Sequence, residues 1–212
     1  MAVPASAGIL GEGPPGYPAD LERRVVLDDG AEVRLRPIRP DDATRLSELY
    51  DRLSFTTAYQ RFFTVMRRLP PDWAHEFATV DYERRLALVA ERLTADAPEL
   101  IDVARYEPSE ETDAAEIALV VEDAWQGRGL GVTLLGDLLA AAEARGIRRF
   151  VAYVLGDNQR MLGLLTRHTN VRERSVESGV VTLILGRKAG TECEESSGGG
   201  PPNREDAGAH RA

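Results

Sequence analysis

The chain is short of the residues that build disulfides and metal centres. It carries one cysteine, Cys193, and three histidines, His75, His168 and His210. A single cysteine excludes an intrachain disulfide framework, and its polar surroundings argue against a catalytic or metal-binding role. The histidines are scattered, with no spacing that would gather metal ligands. No stretch is long and apolar enough to span a membrane. The N-terminus lacks the basic region and apolar run of a secretory signal. A cytoplasmic protein is the expectation. Positive charge is also in deficit: 26 Lys and Arg against 35 Asp and Glu give a net charge of −9. That balance excludes a general nucleic-acid binder. Part of the acidity lies in Glu192, Glu194, Glu195 and Glu205, so the body is less acidic than the whole.

What is present suits one domain with tails: 212 residues, of which 43% are hydrophobic. Residues 1–22 contain Gly-Pro-Pro-Gly-Tyr-Pro and read as a disordered leader, and residues 188–212, with Ser-Ser-Gly-Gly-Gly-Pro-Pro, as a disordered acidic tail. The folded domain is expected over 23–187. Glu32–Ile38 alternates, with Val33 and Leu35 against Arg34 and Arg36, and predicts a first strand. A helix follows Pro40, capped by Asp41 or Asp42, with Leu46, Leu49, Tyr50 and Leu53 on one face. Residues 55–80 read as two short helices broken at Pro70-Pro71, with aromatic mass in Phe62, Phe63, Trp73 and Phe77. Leu86–Glu91 and Ile101–Tyr106 read as a strand pair, and Ala115–Val121 as a further strand. Leu130–Arg145 is a helix with an apolar stripe, stopped by Gly146. Arg149–Leu155, Val171–Ser175 and Val180–Gly186 read as strands, with a helix over Asn158–His168.

The most informative segment is Glu116–Gly131. There an apolar strand enters a glycine-rich turn that opens directly into an amphipathic helix. Such a turn leaves backbone N–H groups unpaired at the positive end of a helix dipole, which seats phosphate or pyrophosphate. The P-loop pattern is absent. A dinucleotide fingerprint starting at Gly127 meets Val132 where it needs glycine, and one starting at Gly129 meets Leu134. Asp157 could still serve as the acid of that fingerprint, so the spacing weakens this alternative without removing it.

Gln126-Gly127-Arg128-Gly129-Leu130-Gly131 fits Gln/Arg-x-x-Gly-x-Gly, the pyrophosphate signature of the GNAT N-acetyltransferases, and the chain resembles that family over about residues 32–187. From Ala115 to Asn158 it is most similar to bacterial protein-lysine acetyltransferases. The resemblance implies an α/β GNAT fold: a mixed, mostly antiparallel sheet of about six to seven strands with helices on both faces. It implies acetyl-coenzyme A as co-substrate and an amine acceptor, foremost a protein lysine, in a monomer or homodimer. By the same resemblance, Leu119 and Val121 pair with the pantetheine arm through main-chain groups, and Val121 N–H stabilises the thioester oxygen. Gln126, Gly127, Arg128, Gly129, Leu130 and Gly131 hold the pyrophosphate. Asn158 contacts the pantetheine arm or the acceptor, unless it is an ordinary helix cap.

Acetyl transfer to an amine needs a proton acceptor, because free lysine titrates near roughly 10.4. Glu116 is the candidate base, since Glu-Ile-Ala-Leu stands where histone-type members carry Glu-Ile-Ala-Phe. Two departures stand out. The family's tyrosine seven residues after the Asn, which protonates the departing thiolate, is Leu165 here, and its Gly-Phe is Thr169-Asn170-Val171. Tyr153 is a candidate substitute for the lost acid. A small-amine acetyltransferase and a non-catalytic acyl-coenzyme A sensor stay open as alternatives, and the acidic stretch Glu107–Asp113 could attract a cationic acceptor.

Overall fold

The computed structural model describes residues 13–94, 97–110 and 112–188. Its strands are β1 (Arg23–Val26), β2 (Glu32–Pro37), β3 (Leu86–Arg92), β4 (Glu99–Pro108), β5 (Ala115–Val121), β6 (Phe150–Leu155), β7 (Thr169–Glu177) and β8 (Val180–Arg187). The helices are α1 (Ala43–Arg52), α2 (Phe55–Phe62), α3 (Pro71–Ala78), α4 (Leu130–Ala144) and α5 (Gln159–His168). One eight-stranded sheet runs in the order β1-β2-β3-β4-β5-β6-β8-β7. Every neighbouring pair is antiparallel except β5 and β6. The mixed, mostly antiparallel sheet with helices on both faces is as expected, with one strand more. That strand is β1, whose four residues Arg-Arg-Val-Val are too few to show a period.

Helices α4 and α5 cover one face. Leu134, Leu138, Leu162 and Leu165 join Leu35, Leu88, Tyr106, Ile117 and Phe150 in one apolar cluster. Leu134 and Leu138 are almost fully buried, and each such leucine contributes about 2 kcal/mol. Helix α4 ends as its sequence predicts: Gly146 has φ +83, and Ile147 N–H returns to the Ala142 carbonyl at 3.0 Å. Helices α1 and α3 cover the other face, where Leu46, Leu49, Ala74 and Ala78 meet Ala87, Val89 and Leu100.

That second face also buries charge, which corrects the reading of Arg36 as the polar side of an alternating strand. Arg36 is 2% exposed. Its guanidinium donates to Asp42 at 2.7 and 2.8 Å and to Glu91 at 2.5 Å. Alternation holds in β2, but its polar side is exposed at Glu32, half-buried at Arg34 and fully covered at Arg36. Asp42 is correspondingly no surface cap; besides Arg36 it accepts the Arg39 N–H at 2.8 Å.

Of the leader expected over 1–22, residues 1–12 lie outside the described residues, but 13–22 are placed against the body. Tyr17 meets the Tyr82 ring edge-on at 5.6 Å, donates to Glu22 at 2.6 Å and lies under Arg39. Of the tail only Lys188 is described.

Candidate active site

Strands β5 and β6 pair at only two positions, Ala115 with Phe150 and Glu116 with Val151, and then part. The gap opens into a cavity of about 710 Å³, bounded by the glycine turn, the start of α5 and α2. Ala115 N–H donates to Arg149 O at 3.0 Å, so odd-numbered residues of β5 aim their main-chain groups at β6. Even-numbered ones aim at β4; Glu122 N–H reaches Ile101 O at 2.8 Å. Past the parting point, the main-chain groups of Ile117, Leu119 and Val121 therefore face the gap. Their side chains pack beneath α4, whereas Glu116, Ala118 and Val120 point to the α2 side.

The glycine turn is shaped by two different needs. Gly127 and Gly129 have φ +79 and +85, a conformation open to glycine at little cost. Gly131 instead permits close helix packing: a β-carbon there would lie 3.3 Å from Leu119 and 3.4 Å from Val121 and Leu164. With α4 starting at Leu130, its first N–H groups have no carbonyl one turn back to bond. Gln126 plays a mechanical part. Its side chain donates to Val121 O at 3.0 Å, and its own N–H turns back to Asp123 O at 3.3 Å.

Of the residues singled out from sequence, Glu116, Leu119, Val121, Gln126, Gly127, Gly129, Gly131, Tyr153 and Asn158 all line the cavity. Arg128 and Leu130 do not. Leu130 is 1% exposed and serves the core by its side chain. Arg128 lies over the Trp125 ring at 4.8 Å and pairs with Asp29 at 2.9 Å. Asn158 caps α5, its Oδ1 accepting the Met161 N–H at 3.1 Å. Leu165, in place of the tyrosine, is 3% exposed and belongs to the apolar core.

The α2 wall supplies side chains that the sequence reading did not single out. Asp123 accepts hydrogen bonds from Ser54 N–H, Ser54 Oγ and Thr57 Oγ1, each at 2.8 Å. Burial would raise its pKa, but these bonds hold it below the ordinary carboxyl value. They fasten the start of α2 to the turn that follows β5. Arg61 of α2 lines the cavity. As a residue it is half-buried, yet its head group is desolvated enough to bring its pKa down to about 10, with Arg105 adding to the fall and Glu116 and Glu107 opposing it. Arg105 lies over the Phe77 ring and donates to Glu107 at 3.0 Å. Glu107, in the acidic stretch, is thereby engaged within the fold. Ser54-x-x-Thr57 was the only local signal for this wall; Arg61 carried none.

Among the described residues no group of three or more His, Cys, Asp or Glu could hold a metal ion, and no helix is long and apolar enough to cross a membrane. The sequence profile of the acetyltransferase (GNAT) family matches residues 52–169, more than half of the chain. An acetyltransferase of Pseudomonas aeruginosa is 31% identical over 140 residues, covering 65% of this chain and 74% of that protein. Acetyltransferase Pat of Mycolicibacterium smegmatis is 34% identical over 144 residues, 68% of this chain but only 42% of that relative. Among solved structures, the GNAT domain of S. lividans PAT matches with a TM-score of 0.71 at 38% identity, covering 80% of this chain and 99% of that domain. With the parted strands and the glycine turn, these similarities place the chain in the GNAT acetyltransferase family, as an acyltransferase.

Proposed function

We propose that the protein transfers the acetyl group of acetyl-coenzyme A to a lysine side chain of a protein, with Glu116 as general base. The observation that carries this reading is the parting of β5 from β6. It sets an unpaired strand edge, a left-handed glycine turn and a carboxylate around one cavity. An unpaired edge recognises an extended amide chain through main-chain hydrogen bonds, and pantetheine is such a chain. Main-chain groups of Leu119 and Val121 hold that arm, and the pyrophosphate rests on N–H groups from Gly127 to Gly131.

Glu116 stands where β5 leaves β6, on the acceptor side of the strand. It takes the proton of the incoming ammonium, directly or through water, so that a neutral nitrogen attacks the thioester carbonyl. Val121 N–H is the donor for the oxygen that gains charge. As the carbon–sulfur bond breaks, the thiolate takes a proton from Tyr153 or water. Tyr153 fits this part: it lines the same cavity, two residues beyond the Val151 that pairs with Glu116. Lysine as acceptor is supported by the similarity of residues 115–158 to bacterial protein-lysine acetyltransferases and by the likeness to the PAT domain.

Replacing Glu116 by Gln tests the role directly. Turnover on a lysine-bearing protein should fall roughly 10²- to 10⁴-fold, the range for a lost general base, while acetyl-coenzyme A still binds. Turnover within a few-fold of the parent would remove Glu116 from the mechanism.

A further inference from the structure

The β1–β2 hairpin, which the sequence concealed, reaches the glycine turn. Its tip is a tight turn: Gly30 N–H donates to Leu27 O at 2.9 Å, Gly30 has φ +84, and Ala31 N–H donates to Asp29 Oδ1 at 3.0 Å. Aspartate is an ordinary residue for such a turn. Its tertiary placement is not explained by the turn. Asp29 pairs with Arg128 across 99 residues of sequence at 2.9 Å. Beside it, Asp28 Oδ2 lies 3.1 Å from where a β-carbon of Gly129 would stand. Two carboxylates thus adjoin the one turn whose N–H groups and helix dipole favour an anion.

We propose that the Asp28–Asp29 turn is an intramolecular competitor for the pyrophosphate seat, which keeps Arg128 occupied and so sets the affinity for acyl-coenzyme A. This inference rests on the cofactor reading above and adds a control element to that site. When phosphates arrive, Arg128 exchanges the Asp29 carboxylate for a phosphate oxygen, and the hairpin tip is repelled from Gly129. The Arg128–Asp29 pair is part-exposed, 37% and 41%, so the exchange is a modest adjustment of affinity and not an on–off block. It is screened by salt.

The test is calorimetric titration of the full chain and of Asp29→Asn, Asp28→Asn/Asp29→Asn and Arg128→Ala with acetyl-coenzyme A, acetyl-dephospho-coenzyme A and S-acetylpantetheine. Asparagine keeps the Oδ1 that closes the turn, so folding is preserved. At low salt, Asp29→Asn should tighten acetyl-coenzyme A about 3- to 5-fold and the double variant about 10-fold, with the gain lost at high salt. The gain should persist with the dephospho compound, which keeps the pyrophosphate, and be absent with S-acetylpantetheine. Combining Asp29→Asn with Arg128→Ala should abolish most of it. Unchanged or weaker binding by both aspartate variants, when the parent binds, overturns the competitor and leaves the cofactor reading intact. An equal gain with S-acetylpantetheine also overturns it. Absence of acetyl-coenzyme A binding from parent and variants alike overturns both.

Discussion

The two faces of the sheet bury their residues by different means. Beneath α4 and α5 the cluster from Leu27 to Leu185 is apolar and continuous, and it sets the position of the glycine turn through Leu119, Leu130 and Leu134. Beneath α1 and α3 the apolar cluster is smaller, and Arg36, Asp42, Glu91 and Arg105 are buried beside it. The α4–α5 side is therefore held by area, and the α1–α3 side partly by matched charge. Area tolerates small losses gradually, because each methylene contributes separately. A charge network does not: removing one partner strands the others without water.

The contrast predicts a graded series of stabilities. Arg36→Ala leaves Asp42 and Glu91 with the part-exposed Arg45, at 3.2 and 3.5 Å, in place of their buried cation, and should destabilise by about 3–5 kcal/mol in denaturant unfolding. Leu134→Ala, on the apolar face, should destabilise by about 3 kcal/mol, within the range for buried leucines. A loss for Arg36→Ala below that of a surface pair would erase the distinction between the faces. The smallest effect concerns Asp102, a buried carboxylate on the apolar face. It is 0% exposed, and neither carboxylate oxygen has a partner. Asp102→Leu should stabilise at neutral pH by about 1–3 kcal/mol, since it removes an unsatisfied buried group.

The two buried aspartates should also titrate with opposite sign. Burial raises Asp102 well above the ordinary carboxyl value near 3.8, with only the nearby Val103 N–H opposing it. The folded state then holds its proton longer than the unfolded one, and stability from this group falls as pH rises through the raised value. Burial would also raise Asp42, but the Arg36 hydrogen bonds and charge outweigh it and leave its pKa below 3.8. Its contribution is present above the unfolded value and is lost as pH falls through the folded one. Unfolding curves of Asp102→Asn and Asp42→Asn against pH separate the two: the first variant should lose the decline at rising pH, the second the decline at falling pH.

Much of the apolar face was legible in the chain. The stripe of α4, the Gly146 stop and the run from Glu116 to Gly131 follow local rules of period, capping and turn chemistry, and these residues place themselves. The family resemblance added the main-chain roles of Leu119 and Val121, and the direction of the main-chain groups along β5 is consistent with them. What stayed hidden depends on contacts far apart in sequence. Strand β1 is too short for a period, and Arg36 alternates like a solvent-facing residue although α1 covers it. Asp29 carried no local signal and Arg128 read as part of the pyrophosphate seat; the pairing of the two depends on the hairpin. Gly131 read as part of the pyrophosphate seat, and its packing on Leu119 and Val121 adds a reason for glycine that no local rule announces.

The most direct measurement is calorimetric titration of the folded protein with acetyl-coenzyme A, with NADH as control. Saturable binding of acetyl-coenzyme A at one site per chain, without binding of NADH, is what the parted strands and the glycine turn predict. No binding from folded protein, or equal binding of NADH, would contradict the account.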